Sequence, residues 1–167
     1  MKVLDCPWEL NDIGKKTVQL NYTNEDIYSS EEVGEAVKNS QYLVAKVPCG
    51  NVDCLMGLQD DGFEVLETQI KLFKDLMSFV VDAKAFDNIF EDVSFCKVNG
   101  DSDFANMTNY IDENMFTTDR ITLDKHFGPV VGRKRYVGWM KNEYVAKTSS
   151  FWWINKERQP IGFMMLR

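Results

Sequence analysis

The stretch Ile121 to Trp139, ITLDKHFGPVVGRKRYVGW, constrains this chain more than any other. It reads as an extended approach, a polar turn and the start of a helix. Proline suits the first helical position, where its missing N–H would have no partner and its fixed φ is already helical. Gly128-Pro129 therefore opens the helix, and Val130, Val131, Tyr136, Val137, Met140 and Tyr144 form its apolar stripe. Beyond it, Phe151 to Ile154 and Ile161 to Leu166 read as two strands joined by the polar loop Asn155 to Pro160. A connection that short favours antiparallel pairing.

The upstream half mixes strands and helices in the same way. Thr17 to Tyr22 alternates apolar and polar positions, as a half-buried strand does. Ser29 and Glu32 have capping-box spacing, so a helix begins there with Val33, Ala36 and Val37 on its apolar face. Tyr42 to Val47 reads as a more buried strand. Asn51 caps a short helix through Leu55, Met56 and Leu58, which Asp61-Gly62 ends. Phe63 to Phe73 is strand-like, with Leu66, Thr68, Ile70 and Leu72 on one face. Leu76 to Phe90 is apolar with no clear period. Val93 to Val98 is another strand, and Asn99-Gly100-Asp101 is a turn and a lobe boundary. A helix follows, with Asp103 as its cap and Phe104, Met107, Ile111 and Met115 at helical spacing. The fold class is α/β (α+β): a mixed, largely antiparallel sheet flanked by helices.

Composition removes several function classes. With 167 residues and 44% hydrophobic content the chain can bury a core, and disorder is excluded. A net charge of −7 leaves no basic surplus to neutralise phosphates, so nucleic acid is not an expected partner. The charge is uneven: residues 1–100 carry 9 basic against 18 acidic side chains, and residues 101–167 carry 10 against 8. Such asymmetry fits two functional surfaces or a boundary between two solvated faces. The start MKVLDCPWEL lacks the apolar run of a signal peptide, and no stretch approaches the ~20 apolar residues of a membrane span. Cys6, Cys49, Cys54 and Cys96 form no CxxC pair and the single histidine, His126, is distant, so no metal is expected. Reduced thiols in a cytoplasmic protein are the expectation.

Several segments, taken in order, resemble one family. Pro7-Trp8 with Gly14-Lys15 looks like the "PWD…FG" opening of GNAT-superfamily acetyltransferases related to the dTDP-fucosamine acetyltransferases. The strand Tyr42 to Val47, then Leu58 and Gly62-Phe63, keep that family's order. Asp124, His126, Phe127, Arg135, Tyr136 and Trp139 match its "D-x-HF…RY…W" segment, and Gln159 to Phe163 resembles the start of its second hairpin strand. The resemblance implies incomplete GNAT-like lobes: residues 1–98 as an amino-terminal partial lobe, and 99–167 as the first part of a second. It also implies an N-acetyltransferase with acetyl-CoA as co-substrate and a small-molecule amine, such as an amino sugar nucleotide, as acceptor. The family's Gly-rich turn of the form R/Q-x-x-G-x-G/A, whose amides would hold the acyl-CoA pyrophosphate, is missing from this sequence. Cofactor binding is therefore assigned to no residue, and the chain reads as a truncated or amino-terminal portion. The alternative is a non-catalytic module derived from the same scaffold.

The residues offered for the acceptor pocket are His126, Arg135, Trp139 and Trp152. His126 can take a proton near neutral pH, or brace the loop before Pro129. Asp124 can pair with an ammonium, or accept backbone N–H groups in its turn. Arg135 can hold a phosphate bidentately, or sit on a solvated face with Arg133 and Lys134. Trp152 and Trp153 point to opposite faces of their strand, so one of them at most joins any given site. The closing run IGFMML is expected to be covered by more chain, by a second copy in a homodimer or by an exchanged strand.

Overall fold

The computed structural model describes residues 1–73 and 92–167; Leu76 to Phe90 lies outside the described residues. The fold is mixed α/β, with two small, mostly antiparallel sheets and helices. The chain divides into two compact units, Met1–Glu67 with Glu113–Gly138 and Thr68–Asp112 with Trp139–Arg167. Each unit is drawn from two stretches of chain, whereas reading in sequence order divides it once, after residue 98.

The first unit holds the sheet β1 (Lys2–Cys6), β2 (Thr17–Asn21) and β3 (Tyr42–Lys46), in that order. β1 runs antiparallel to β2 and β3 parallel to it. The parallel pair needs a crossover, and α2 (Ser30–Lys38) supplies it. Ser29 Oγ accepts the Glu32 N–H and caps α2 as the sequence predicts. Asn51 caps α3 (Val52–Asp60) by accepting the Cys54 N–H at 3.1 Å, and Gly62 follows that helix at φ 89°. Val18 and Leu20 of β2, Val33 and Ala36 of α2, and Cys54 and Leu58 of α3 make one core. The central strand β2 is the buried one and β3 is half-buried, the reverse of the sequence reading, because the flanking strand has one neighbour and the middle strand two.

Phe63 to Phe73 forms no strand, with Ile70, Leu72 and Phe73 exposed. Alternation alone does not make a strand; a ladder partner must be present, and no described strand pairs with it. The approach to His126 also differs from expectation. It is a helical turn, α5 (Arg120–Leu123), rather than extended chain. Asp119 Oδ1 accepts the Ile121 N–H at 3.0 Å and so starts the turn.

The second unit holds the antiparallel sheet β4 (Val93–Lys97), β5 (Ser150–Lys156) and β6 (Gln159–Leu166). α4 (Gly100–Tyr110) starts directly after β4, so Asn99-Gly100-Asp101 is a helix start. Asn99 occupies the N-cap position. Asp103, expected there, instead reaches back from inside the helix and accepts the Asn99 N–H at 2.9 Å. The Phe104 ring stacks on Tyr144 at 3.9 Å and meets Phe151 edge-on at 5.1 Å. Met107 and Ile111 are buried beside it, while Met115 lies beyond the helix and is exposed. Trp153 donates to Asp103 Oδ1 at 2.9 Å and takes the edge of Tyr110, so α4 covers the Phe151 and Trp153 face of the sheet. The β5–β6 turn is tighter than expected: Lys156 pairs with Gln159, leaving Glu157 and Arg158 at φ 50° and 66°.

α6 (Gly128–Ala146) opens at Gly128-Pro129 as its sequence predicts. Its residues through Gly138 belong to the first unit and those from Trp139 to the second. The apolar stripe fails at its first turn, where Val130 is exposed.

Candidate functional site

The densest chemistry of the first unit gathers on the short helix α1 (Pro7–Ile13). Pro7 opens it, and Gly14, at φ 73°, returns its N–H to Leu10 O. Glu9 and Asp12, three residues apart, share one face of α1. Both are buried, Glu9 at 1% exposure and Asp12 at 6%. A buried carboxylate needs a counter-charge, and Glu9 has two. Arg120 of α5 donates Nη2 to Glu9 Oε1 at 2.6 Å. Arg135 of α6 donates Nε to Oε2 and Nη2 to Oε1, both at 2.9 Å, a fork-to-fork pair. Burial alone would lower the Arg135 pKa, but the hydrogen bond to Glu9 and its charge outweigh it, and the guanidinium is held more firmly protonated.

A second carboxylate extends the network. Asp119, the cap of α5, lies with Oδ2 3.6 Å from Arg135 Nη1 and accepts the Tyr136 hydroxyl at 3.2 Å. The Tyr136 ring stacks on Phe116 at 3.7 Å. Arg120 Nη1 is buried with no hydrogen-bond partner among the described residues. Asp12 lies against α6 at Gly138, where a β-carbon would come within 2.3 Å of Asp12 Oδ1. Burial raises the Asp12 carboxyl, and the Glu9 charge raises it further.

The turn after α5 is organised by Asp124. Its Oδ1 accepts the His126 N–H at 2.8 Å, its Oδ2 accepts the Tyr42 hydroxyl at 3.0 Å, and its carbonyl accepts the Phe127 and Gly128 N–H groups. Asp124 thus takes the turn role. Tyr42 is pushed up to about 12 by burial and by its bond to Asp124. Its ring receives the edge of Phe127 at 4.9 Å and lies 5.9 Å from the Arg120 guanidinium carbon. His126 is exposed on this turn.

Of the four residues offered for an acceptor pocket, His126 and Arg135 fall in the first unit, and Trp139 and Trp152 in the second. Arg135 spends its planar fork on Glu9. Trp139 is exposed on α6 and hydrogen-bonds Glu143, one turn on. Trp152 donates Nε1 to Ser150 Oγ at 3.2 Å and carries Lys97 Nζ 6.0 Å from its ring centre. Glu9, Asp12, Asp119 and Arg120 carry the network and were not foreseen. The available signal was two acids three residues apart on a short helix that starts with proline.

All four cysteines are free thiols, two of them buried. Among the described residues no group of His, Cys, Asp and Glu is arranged to hold a metal ion, and no helix is long and apolar enough to cross a membrane. The second unit also contains an open cleft of about 450 Å³ where β4, α4, α6 and β5 meet. The chain matches no known protein family, no curated protein and no solved structure.

Proposed function

We propose that this chain is part of an acyl-CoA-dependent N-acetyltransferase acting on a small-molecule amine, of the kind an amino sugar nucleotide presents. The observation that carries the reading is the element order along the chain from β4 onward. A strand is followed by helices and a hairpin, and β4, β5 and β6 pair antiparallel in that order. The resemblance implies a strand, two early helices and a hairpin within residues 99–167; the helices and the hairpin lie there, and the strand, Val93–Lys97, precedes residue 99. In this reading the amine loses a proton to a base or water, its nitrogen attacks the thioester carbonyl carbon, the C–S bond breaks and the thiolate is protonated. His126, exposed on its turn, is offered for the acceptor pocket. Because the sequence contains no Gly-rich pyrophosphate turn, the acyl-CoA cradle is assigned to residues outside it.

Calorimetric titration of the 167-residue chain with acetyl-CoA tests the proposal. Saturable binding supports it. Absence of binding, alone and in any assembly the chain forms, moves the titration to a longer product or a partner that carries the Gly-rich turn; absence there too overturns the proposal in favour of a second reading, a non-catalytic binding or assembly module. Two observations favour that alternative. Arg135, offered to a nucleotide phosphate, is already engaged by Glu9. Among the described residues β6 pairs with β5 alone, which leaves an edge open to another strand. A concentration-dependent dimer in gel filtration, lost when Met164→Pro blocks that edge, would support the module.

A further inference from the structure

We propose that the sheet of the second unit docks an amphipathic helix of another polypeptide on its Trp152 face, a helix with an apolar stripe and carboxylates beside it. This goes beyond acyl transfer and does not rest on that reading. The register shows which residues share the face, because directly opposed residues of an antiparallel ladder lie on one side of the sheet. Lys97 stands opposite Trp152 and Trp152 opposite Met164, while Phe95 stands opposite Ile154 and Ile154 opposite Gly162. Two side-chain positions agree. Lys97 Nζ lies 6.0 Å from the Trp152 ring centre, and Ile154 Cδ1 lies 3.9 Å from where a β-carbon on Gly162 would stand. The other face is already covered: Phe104 and Tyr144 meet Phe151, and Tyr110 meets Trp153. On the Trp152 face, Phe95 and Leu166 of the two outer strands are each 48% exposed.

The sequence of the strands also asks for a second layer. A strand with one wet face alternates apolar with polar residues. Phe151 to Ile154 in β5 and Ile161 to Leu166 in β6 do not alternate, which is the pattern of strands covered on both sides. A sheet face takes a helix, whereas a sheet edge takes a strand. Charge then selects the helix. Lys97 near one end of the face and Lys156, opposite Val93 at the other, are both exposed. No strand residue of this face is acidic, in a chain of net charge −7. The two lysine rows lie ~13 Å apart along the strands, a distance that a helix spans in about nine residues. An apolar stripe spaced as Phe104, Met107 and Ile111 are on α4, with carboxylates about nine residues apart beside it, meets both the apolar surface and the lysines. An anionic bilayer fits less well, because surfaces that hold one bring about 4–8 cations.

The test uses the full chain without acetyl-CoA. Heteronuclear NMR follows titration with a synthetic peptide of about 15 residues whose leucine stripe is flanked by glutamates, with the same stripe flanked by lysines, and with a scrambled order. The glutamate peptide is expected to saturate near ~10 µM, at least about tenfold below either control, with shifts at Phe95, Trp152 and Met164. Phe95→Glu, at an exposed position, weakens it at least about tenfold. Lys97→Glu with Lys156→Glu reverses the preference, so that the lysine peptide binds the better, an exchange that general stickiness would not produce. The assignment fails if no peptide saturates below ~1 mM, if the controls bind as well as the glutamate peptide, or if the reversed lysines leave the preference unchanged. Binding to phosphatidylserine vesicles with no preference among the peptides overturns it in favour of a membrane surface. A concentration-dependent dimer that shows the same shifts and takes up no peptide overturns it in favour of a second copy. Failure here leaves the acetyl-CoA titration untouched, so the two proposals fall separately.

Discussion

Removing the Glu9 carboxylate takes the shared counter-charge from two part-buried guanidinium groups and leaves Arg135 with Asp119 at 3.6 Å. Glu9→Gln is therefore expected to destabilise the first unit by about 3 kcal/mol, read as a lower urea midpoint. Asp12 works in the opposite sense. Its pKa is raised above the ordinary value of 3.8, first by burial and then by Glu9, so the ionised form costs stability. That cost is fully present above the folded-state pKa. It disappears as pH falls from there to the unfolded value. Asp12→Asn should thus stabilise the chain at pH 7, and the gain should vanish below about pH 4; a gain independent of pH would sink this account. Gly138 is coupled to the same carboxylate. A β-carbon there would meet Asp12 Oδ1 at 2.3 Å, so Gly138→Ala alone should cost about 1–3 kcal/mol. With Asp12→Ala in the background the clash is gone, and the same substitution should gain up to about 1 kcal/mol of helix propensity.

At the scale of elements, the β5–β6 turn holds two non-glycine residues in the left-handed region, Glu157 at φ 50° and Arg158 at φ 66°. A two-residue hairpin loop with both φ values positive prefers Asn-Gly. Glu157→Asn with Arg158→Gly should stabilise the chain by about 1 kcal/mol, measurable by thermal unfolding. Asn51 carries more than its cap. Besides accepting from Cys54, its Nδ2 donates to Thr23 O at 2.8 Å and Asp26 O at 2.9 Å. These elements explain what the sequence made legible. Caps such as Ser29 and Asn51, the Gly128-Pro129 start and the terminal hairpin depend on neighbours a few residues away, and the sequence shows such neighbours directly. Phe63 to Phe73 alternates well, yet its state depends on a distant partner that alternation cannot supply. The Glu9 network was hidden for the same reason, since its members lie on three separated helices. Arg133, Lys134 and Arg135 look alike in sequence; only the fold turns Arg135 onto Glu9.

Across the whole molecule, each unit has one central strand. β2 lies between β1 and β3, and β5 between β4 and β6. Val18 and Leu20 of β2 are in the buried core, as Phe151 of β5 is buried in its own unit. Amide hydrogen exchange should be slowest in β2 and β5, and faster on the outer edges of β1 and β6. Equal protection of β5 and β6 would mean that the outer edge of β6 is covered in solution. The acidic first hundred residues and the more balanced remainder do not map onto the two units one to one, because each unit draws on both stretches.

That interleaving sets an order of events during synthesis. Glu9 emerges early, but Arg120 and Arg135 follow it by 111 and 126 residues. At ~5–20 residues per second, on the order of 10 s passes between the carboxylate and its partners. Throughout that interval α1 lacks both of the guanidinium partners that its acidic face has in the folded unit.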